Sequence, residues 1–421
     1  MTSAVRQRSL REANLALVLR HIGADGAITR ADLAARTGLT RATVSGLVDE
    51  LMAGGLVSAV PAGSLHLRRR GEPSRQHPGA GRPATGLALA TTGPAGLGLE
   101  INVDYLAACA LDLTGATRVL QVQRRDQRGR RPTRVLADLA GLAARVREAA
   151  TRDGLRVAGI VVGVPGLVNG DGMVRVAPNL DWHNVDVGTT LRDAPGLHGE
   201  GSDALALTVE NEANLAALAE LHAHSDPSPS FVHISGEIGV GAGLVLQGRL
   251  LRGPRGYGGE LGHVTISPDG PRCRCGARGC LEAYTNQEAL LRAAGLLSTV
   301  EDVPPVERLR ELAGAGDAAV LRALADAGTA LGIAAADVVN LVDVDTVVLG
   351  GIFAPLTPWL APAVSRELTA RTVTAAWAPV TVRAAALGTT ATVVGAAGSV
   401  VRAIRESPAT WLSHLSADVD T

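Results

Sequence analysis

Apolar residues recur at Leu10, Ala13, Leu15, Leu17, Val18 and Ile22. This helical spacing predicts a first helix over residues 10–22, ending at Gly23. A second helix is predicted over residues 29–36, capped by Thr29 and closed at Thr37-Gly38, and a third runs from the cap Thr40 to Met52 ahead of Gly54-Gly55. Two short helices joined through a glycine-containing turn follow the helix-turn-helix plan. Leu33, Leu39, Val44, Leu47, Val48 and Leu51 supply their shared core. Arg41, Thr43 and Ser45 are left on the open N-terminal part of the third helix, where side chains meet base edges and phosphates in a major groove. Arg30 and Thr40 complete this candidate DNA surface. Next come a predicted strand at Leu56–Val60, a loop carrying Arg68, Arg69, Arg70 and Arg75, and a second strand at Thr85–Leu89. Strand, basic tip and strand make a wing, and residues 61–82 are expected to be mobile until DNA holds them. Gly81-Arg82-Pro83 reads equally well as a plain turn or as an extended Arg82 suited to a minor groove.

Beyond residue 90 the periodicity changes. Gly96–Val103, Leu106–Leu113 and Val157–Val164 read as strands, with an amphipathic helix near 134–151 between them. The alternation restarts at Phe231–Ile234 and ends with Thr346–Leu349 and Gly350-Gly351 feeding a late helix. Strands alternating with helices indicate an α/β protein, and the restart indicates two lobes with a cleft between them. The expected domains are a winged helix-turn-helix at 1–90, a first lobe at 91–225 plus 381–421, and a second lobe at 226–380.

At 421 residues and 46% hydrophobic content the chain is long enough for two or three domains and too apolar for a disordered one. No uninterrupted apolar stretch has the roughly 18–20 residues of a membrane span, and the N-terminus lacks the pattern of a secretory signal, so no membrane is expected and the default address is the cytoplasm. The net charge of −1 conceals an asymmetry: residues 1–90 hold 12 Arg against 6 acids, and the remaining 331 hold 28 Arg against 35 acids. A basic head on an acidic body points to a polyanion partner for the head, although a solvated charged face has the same composition.

The strongest chemical signal is Glu260-Leu261-Gly262-His263 followed closely by Cys273-Arg274-Cys275 and Gly279-Cys280-Leu281-Glu282. His263, Cys273, Cys275 and Cys280 make a full tetrahedral set for zinc with no position left for water, which argues for a structural ion. Cys109 sits in an apolar strand and reads as core packing. Val209-Glu210-Asn211-Glu212-Ala213-Asn214 turns from strand into helix. Its amide and carboxylate groups suit vicinal hydroxyls of a small polyol, while ordinary capping by Asn211 accounts for one residue of the cluster.

Together, the helix-turn-helix head, Val162-Gly163-Val164-Pro165-Gly166, the Glu-Asn-x-Ala-Asn run, Gly239-Val240-Gly241-Ala242-Gly243, Glu-x-Gly-His and Cys-x-Cys-Gly-x-x-Gly-Cys-x-Glu resemble the ROK family of repressors, open reading frames and kinases. The resemblance covers nearly the whole chain. It implies an actin-like, hexokinase-type (ribonuclease H-like) body, zinc on His263, Cys273, Cys275 and Cys280, and sugar contacts from Asn211, Glu260, His263 and Glu282. Glu212 occupies the place of the catalytic Asp of the family's kinases and is counted with the sugar-site group.

Kinases of the family carry an Asp-x-Gly-Gly-Thr turn for nucleotide phosphates, and the aligned stretch here is Glu100-Ile101-Asn102-Val103-Asp104. Side chains occupy the places where bare N–H groups would approach phosphates. At Glu212 the extra methylene would displace a carboxylate by about 1 Å, a shift that can cost about a hundredfold in rate. The expectation is a non-enzymatic, sugar-responsive regulator that binds double-stranded operator DNA as a homodimer or homotetramer, with an active sugar kinase bearing a DNA-binding extension as the competing reading. A zinc-stabilised interaction protein that binds neither sugar nor DNA is a third.

Overall fold

The computed structural model describes residues 3–61, 85–197, 205–223, 229–297 and 304–419. The head consists of α1 (Ser3–Asp25), α2 (Arg30–Thr37), α3 (Arg41–Ala53), β1 (Val57–Val60) and β2 (Gly86–Leu89). Helix α1 continues through Gly23, where the sequence predicted its end, and stops before Gly26, which takes φ 74°. Thr29 caps α2 by accepting from Asp32 N, and α2 closes on left-handed Gly38. Thr40 caps α3 in the same way through Thr43 N. β1 and β2 pair antiparallel, and Ile28 forms a bridge to Leu87, so the wing is fastened to the turn ahead of α2. The expected wing tip, including Arg68, Arg69, Arg70, Arg75 and Arg82, lies outside the described residues.

The body follows in chain order. β3 (Gly93–Ile101), β4 (Tyr105–Asp112) and β5 (Thr117–Arg124) form an antiparallel meander, α4 (Pro132–Arg152) crosses over, and β6 (Leu155–Val164) returns parallel to β3. A small antiparallel sheet of β7 (Leu167–Val168), β8 (Met173–Ala177) and β9 (Trp182–Asp186) precedes α5 (Val187–Arg192), β10 (Ala206–Asn211) and α6 (Glu212–Ala223). The second lobe repeats the plan with β11 (Phe231–Gly236), β12 (Val240–Leu246) and β13 (Arg249–Leu250), then α7 (Glu282–Thr285), α8 (Gln287–Ala293), α9 (Pro305–Gly314), α10 (Ala318–Val342), β14 (Thr346–Gly351), α11 (Phe353–Arg371) and β15 (Thr381–Ala384). The sheet orders are β10-β6-β3-β4-β5 and β15-β14-β11-β12-β13. Each is a three-stranded meander extended by two parallel strands, so the lobes are two copies of one topology, the actin-like, hexokinase-type arrangement.

β15 lies in the stretch expected to belong to the first lobe, yet it pairs in parallel with β14 and completes the second sheet. The chain returns to the first lobe only with α12 (Ala391–Glu406), which lies against β3, β6 and α6. That approach is backbone-close: a Cβ on Gly98 would strike the Val393 carbonyl, and one on Gly395 the Leu215 carbonyl. α13 (Pro408–Val419) then runs back onto the head. Trp411 Nε1 donates to the carbonyl of Gly54, the residue that ends α3, at 2.9 Å. Arg156 stacks over the Trp411 ring at 5.2 Å. Leu15, Val18, Leu51, Leu56, Val400, Ile404 and Trp411 belong to one buried cluster, so head and first lobe share a continuous core. α10 is long and apolar enough to cross a membrane by length and composition, but it carries Arg322, Asp326 and Asp337 and buries one face against α11 as a core helix of the second lobe.

Candidate functional site

The cleft between the lobes gathers residues from both. Asn211 ends β10, and its Oδ1 accepts from Ala213 N (2.8 Å) and Asn214 N (3.2 Å), capping α6, while its amide donates to Gly166 O at 3.1 Å. Capping and tethering of the Pro165-Gly166 turn thus occupy most of its polar capacity. Glu210, one residue earlier, accepts from Asn214 Nδ2 and pairs with Arg252 at 2.6 Å, tying the two lobes together. The sequence reading passed over this brace because its two halves lie 42 residues apart.

From the second lobe come Glu260, His263 and Glu282. His263 turns Nδ1 toward Cys273 Sγ (3.7 Å) and Nε2 toward Glu260 Oε2 (3.9 Å). Glu282 is buried; Oε2 accepts from Val240 N at 3.0 Å and Oε1 lies 3.7 Å from Cys273 Sγ. His263 and Glu282 of the expected sugar-site group therefore meet at the Cys273 thiol, and Glu260 stands on the far side of His263. A Cβ placed on Gly239 would meet both Glu282 Oε2 and Asn179 Nδ2 at 2.8 Å, and one on Gly241 would meet Ala213 Cβ at 2.8 Å. The Gly239–Gly243 run is therefore accounted for by the close passage of β12 over α6 and the cleft side chains. Asn179, from Ala177-Pro178-Asn179-Leu180 just beyond β8, accepts from Arg274 Nη1 at 3.3 Å, bridging the first lobe to the cysteine loop. Its only signal in the sequence was a Pro-Asn turn.

The ligand atoms of His263, Cys273, Cys275 and Cys280 all lie within 4.8 Å of one another. The Cys275–Cys280 sulfur separation is 3.8 Å. With Zn–S near 2.3 Å, the edge of a tetrahedron is about 3.8 Å, so the donor set and its spacing fit a four-coordinate ion. These four residues could hold a metal ion, and His263 would then offer Nδ1 to it and keep Nε2 free to donate into the cleft.

The wall of the cleft around Glu100 and Tyr105 has a different character. Glu100 is buried; Tyr105 donates to its Oε1 at 2.7 Å, and its Oε2 has no partner among the described residues. Burial pushes the Glu100 carboxyl up to about 7, and Glu237, at the end of β11, up to about 8, with Glu100 and Asp104 adding repulsion to the latter. Glu212 is raised well above the ordinary range by burial, with Glu260 and Glu100 contributing, and its Oε2 is also unpartnered among the described residues.

On the head, Arg41 and Thr43 are exposed and Ser45 is half-buried on the N-terminal half of α3. Thr40 and Thr43 hydroxyls share a 2.9 Å hydrogen bond at the helix start. Arg30, expected among the DNA contacts, pairs with Asp49 at 2.5 Å and braces α2 against α3.

The ROK family profile matches residues 96–402. The chain belongs to the ROK family. A MarR family profile matches residues 16–64, within the head. The xylose repressor of Bacillus subtilis is 27% identical over 366 residues, covering 87% of this chain and 88% of the relative. Among solved structures, a ROK family transcriptional regulator described as a homolog of the E. coli MLC protein matches with TM-score 0.76 and 26% identity over 96% of this chain and 99% of its own. A ROK family glucokinase from Streptomyces griseus, in complex with glucose and AMPPNP, matches with TM-score 0.62 and 25% identity over 72% of this chain and 98% of its own. The regulators thus resemble this ROK chain from head to C-terminus, and the kinase resembles its body.

Proposed function

We propose that this ROK protein is a sugar-responsive transcriptional repressor whose body binds a sugar in the interlobe cleft without phosphorylating it. The observation that carries the reading is similarity over 87% of the chain to a xylose repressor and over 96% of it to a ROK regulator, with a MarR family profile on the head. Glu260, His263, Glu282 and Asn211 would contact hydroxyls, with Glu212 at the edge of the same site, and zinc on His263 and the three cysteines would hold His263 in one tautomer. Loss of phosphoryl transfer is supported by the side chains of Glu100, Asn102 and Val103 at the stretch matched to the kinases' glycine-bearing turn, because they hold the backbone N–H groups away from a nucleotide's phosphates.

A sugar can alter DNA affinity only by binding one lobe arrangement better than another. The route available is α6 at the site, α12 packed on α6, and α13, whose first-turn Trp411 donates to the Gly54 carbonyl at the end of α3. Operators with two-fold symmetry require paired heads, so a homodimer or homotetramer is part of the reading. Leu341, Val373 and Trp377, exposed together beside the Asn340–Val373 hydrogen bond, offer an apolar face for it.

The test is fluorescence anisotropy on promoter DNA with and without a panel of sugars. Operator binding that changes with one sugar is expected, and Arg41→Ala should weaken specific binding by about 10- to 100-fold. ATP-dependent turnover of any sugar that Glu212→Gln abolishes would establish the kinase reading instead.

A further inference from the structure

The connection from β5 into α4 carries Arg124, Arg125, Arg128, Arg130, Arg131 and Arg134 in eleven residues of an otherwise acidic body. Arg125, Arg130, Arg131 and Arg134 line one open recess of about 500 Å³, together with Thr133 and Ala137. No carboxylate lines it. Asp138 reaches Arg130 at 2.7 Å and Arg125 at 3.5 Å, whereas the guanidinium groups of Arg131 and Arg134 have no partner among the described residues. The recess also receives the N-terminus of the 21-residue α4, which has Pro132 in its first turn, no side-chain cap and no acid there. The positive end of the helix therefore adds to the arginines.

We infer that this recess is a second ligand site that takes the phosphoryl group of a small phosphorylated metabolite, separate from the sugar cleft. Planar guanidinium forks match the paired oxygens of a phosphomonoester dianion, and the open face leaves room for the organic part of the ligand. Backbone phosphates of operator DNA are the less suitable occupant. The Thr117 end of β5 lies at the junction between head and body, where Arg118 Nη1 donates to Thr91 O at 2.8 Å, and its eight residues place the recess about 26 Å from that junction along the strand. The site also adjoins the cleft. Arg125 N donates to Asp104 O (2.9 Å) and Gln127 N to Val103 O (2.8 Å), and the turn they hold carries Tyr105, the donor to Glu100. A ligand that orders the arginine loop would brace that wall of the cleft.

Isothermal titration calorimetry on the full-length protein tests this with glucose 6-phosphate and inorganic phosphate as probes. Saturable binding of glucose 6-phosphate is expected, at least tenfold tighter than inorganic phosphate, weakened at least tenfold by Arg131→Ser with Arg134→Ser and unchanged by Glu282→Gln. Both arginines are exposed, so the double variant should retain the parent's melting temperature and operator affinity. Absence of saturable binding overturns the inference. So does loss of binding in Glu282→Gln but not in the arginine variant, which places the ligand in the cleft. Equal affinity for inorganic phosphate would make the site one for the free ion, and weaker operator binding by the arginine variant without ligand would make it part of a DNA track.

Discussion

The two sides of the cleft differ in how far their buried polar groups are satisfied. Around Glu260, His263 and Glu282 polar atoms have partners: Glu282 accepts a backbone N–H, His263 is held between a thiol and a carboxylate, and four metal-ligand side chains converge. Around Glu100 and Glu237 burial raises both acids and one Glu100 oxygen has no partner among the described residues; Glu212, at the boundary between the two sides, is likewise raised and has one unpartnered oxygen. A buried polar group that is matched costs little, whereas an unmatched carboxylate is costly unless it keeps its proton. The contrast teaches that one cleft can be polar throughout and yet satisfy its groups on one wall and not on the other, because each wall is built from its own set of turns.

The largest expected effect comes from the metal set. Cys275→Ser, at the exposed ligand, should abolish bound zinc measured by metal analysis and lower the melting temperature sharply, and treatment of the parent with a strong chelator should do the same. A parent that contains no metal and melts unchanged with chelator would break the comparison at its firmer side. Next in size, Glu282→Gln should keep the metal and lose about 10- to 100-fold in sugar affinity by calorimetry, since it weakens a charged partner in a buried site. Trp411→Phe removes the hydrogen bond to Gly54, worth about 1 kcal/mol, and trims the buried ring on which Arg156 stacks. Operator affinity should stay within a few-fold while the sugar-induced change shrinks; an unaltered response would exclude the α13 route.

The smallest effect sharpens the phosphate side. The folded value of Glu100, near 7, lies above the ordinary 4.5, so the folded state holds a proton that the unfolded chain has released. Its contribution to stability is therefore full below about 4.5 and is lost progressively as pH rises to about 7. Glu100→Gln has no such window, and its melting temperature relative to the parent should rise by about 3 °C or more between pH 5 and pH 8. An equal difference at both values would mean that Glu100 is ionised and compensated in the folded protein.

Much of this was legible in the chain because the signals were local. Thr29 and Thr40 announce their helices, and the cap geometry agrees. His263 and the three cysteines fall within eighteen residues, so a short loop suffices to bring them together. The first helix was misjudged at Gly23 because a helical glycine and a stop signal look alike in sequence. In the fold that glycine is needed where Arg405 and Leu89 press against α1. Arg30 is a DNA-contact candidate on charge placement alone, which does not disclose that Asp49 lies opposite.

What the sequence determined by itself were elements, caps and the metal set, all governed by contacts within a few turns of chain. Tertiary structure alone decided which sheet receives β15, that Arg274 reaches Asn179 across 95 residues, and that Trp411 closes on Gly54 across 357. Periodicity records how much of a residue is buried and on which face, but not which of many equally apolar surfaces covers it. The same limit hid the meeting of Glu100, Glu212 and Glu237, whose altered acidity arises only when two lobes bring separate turns into one dry space.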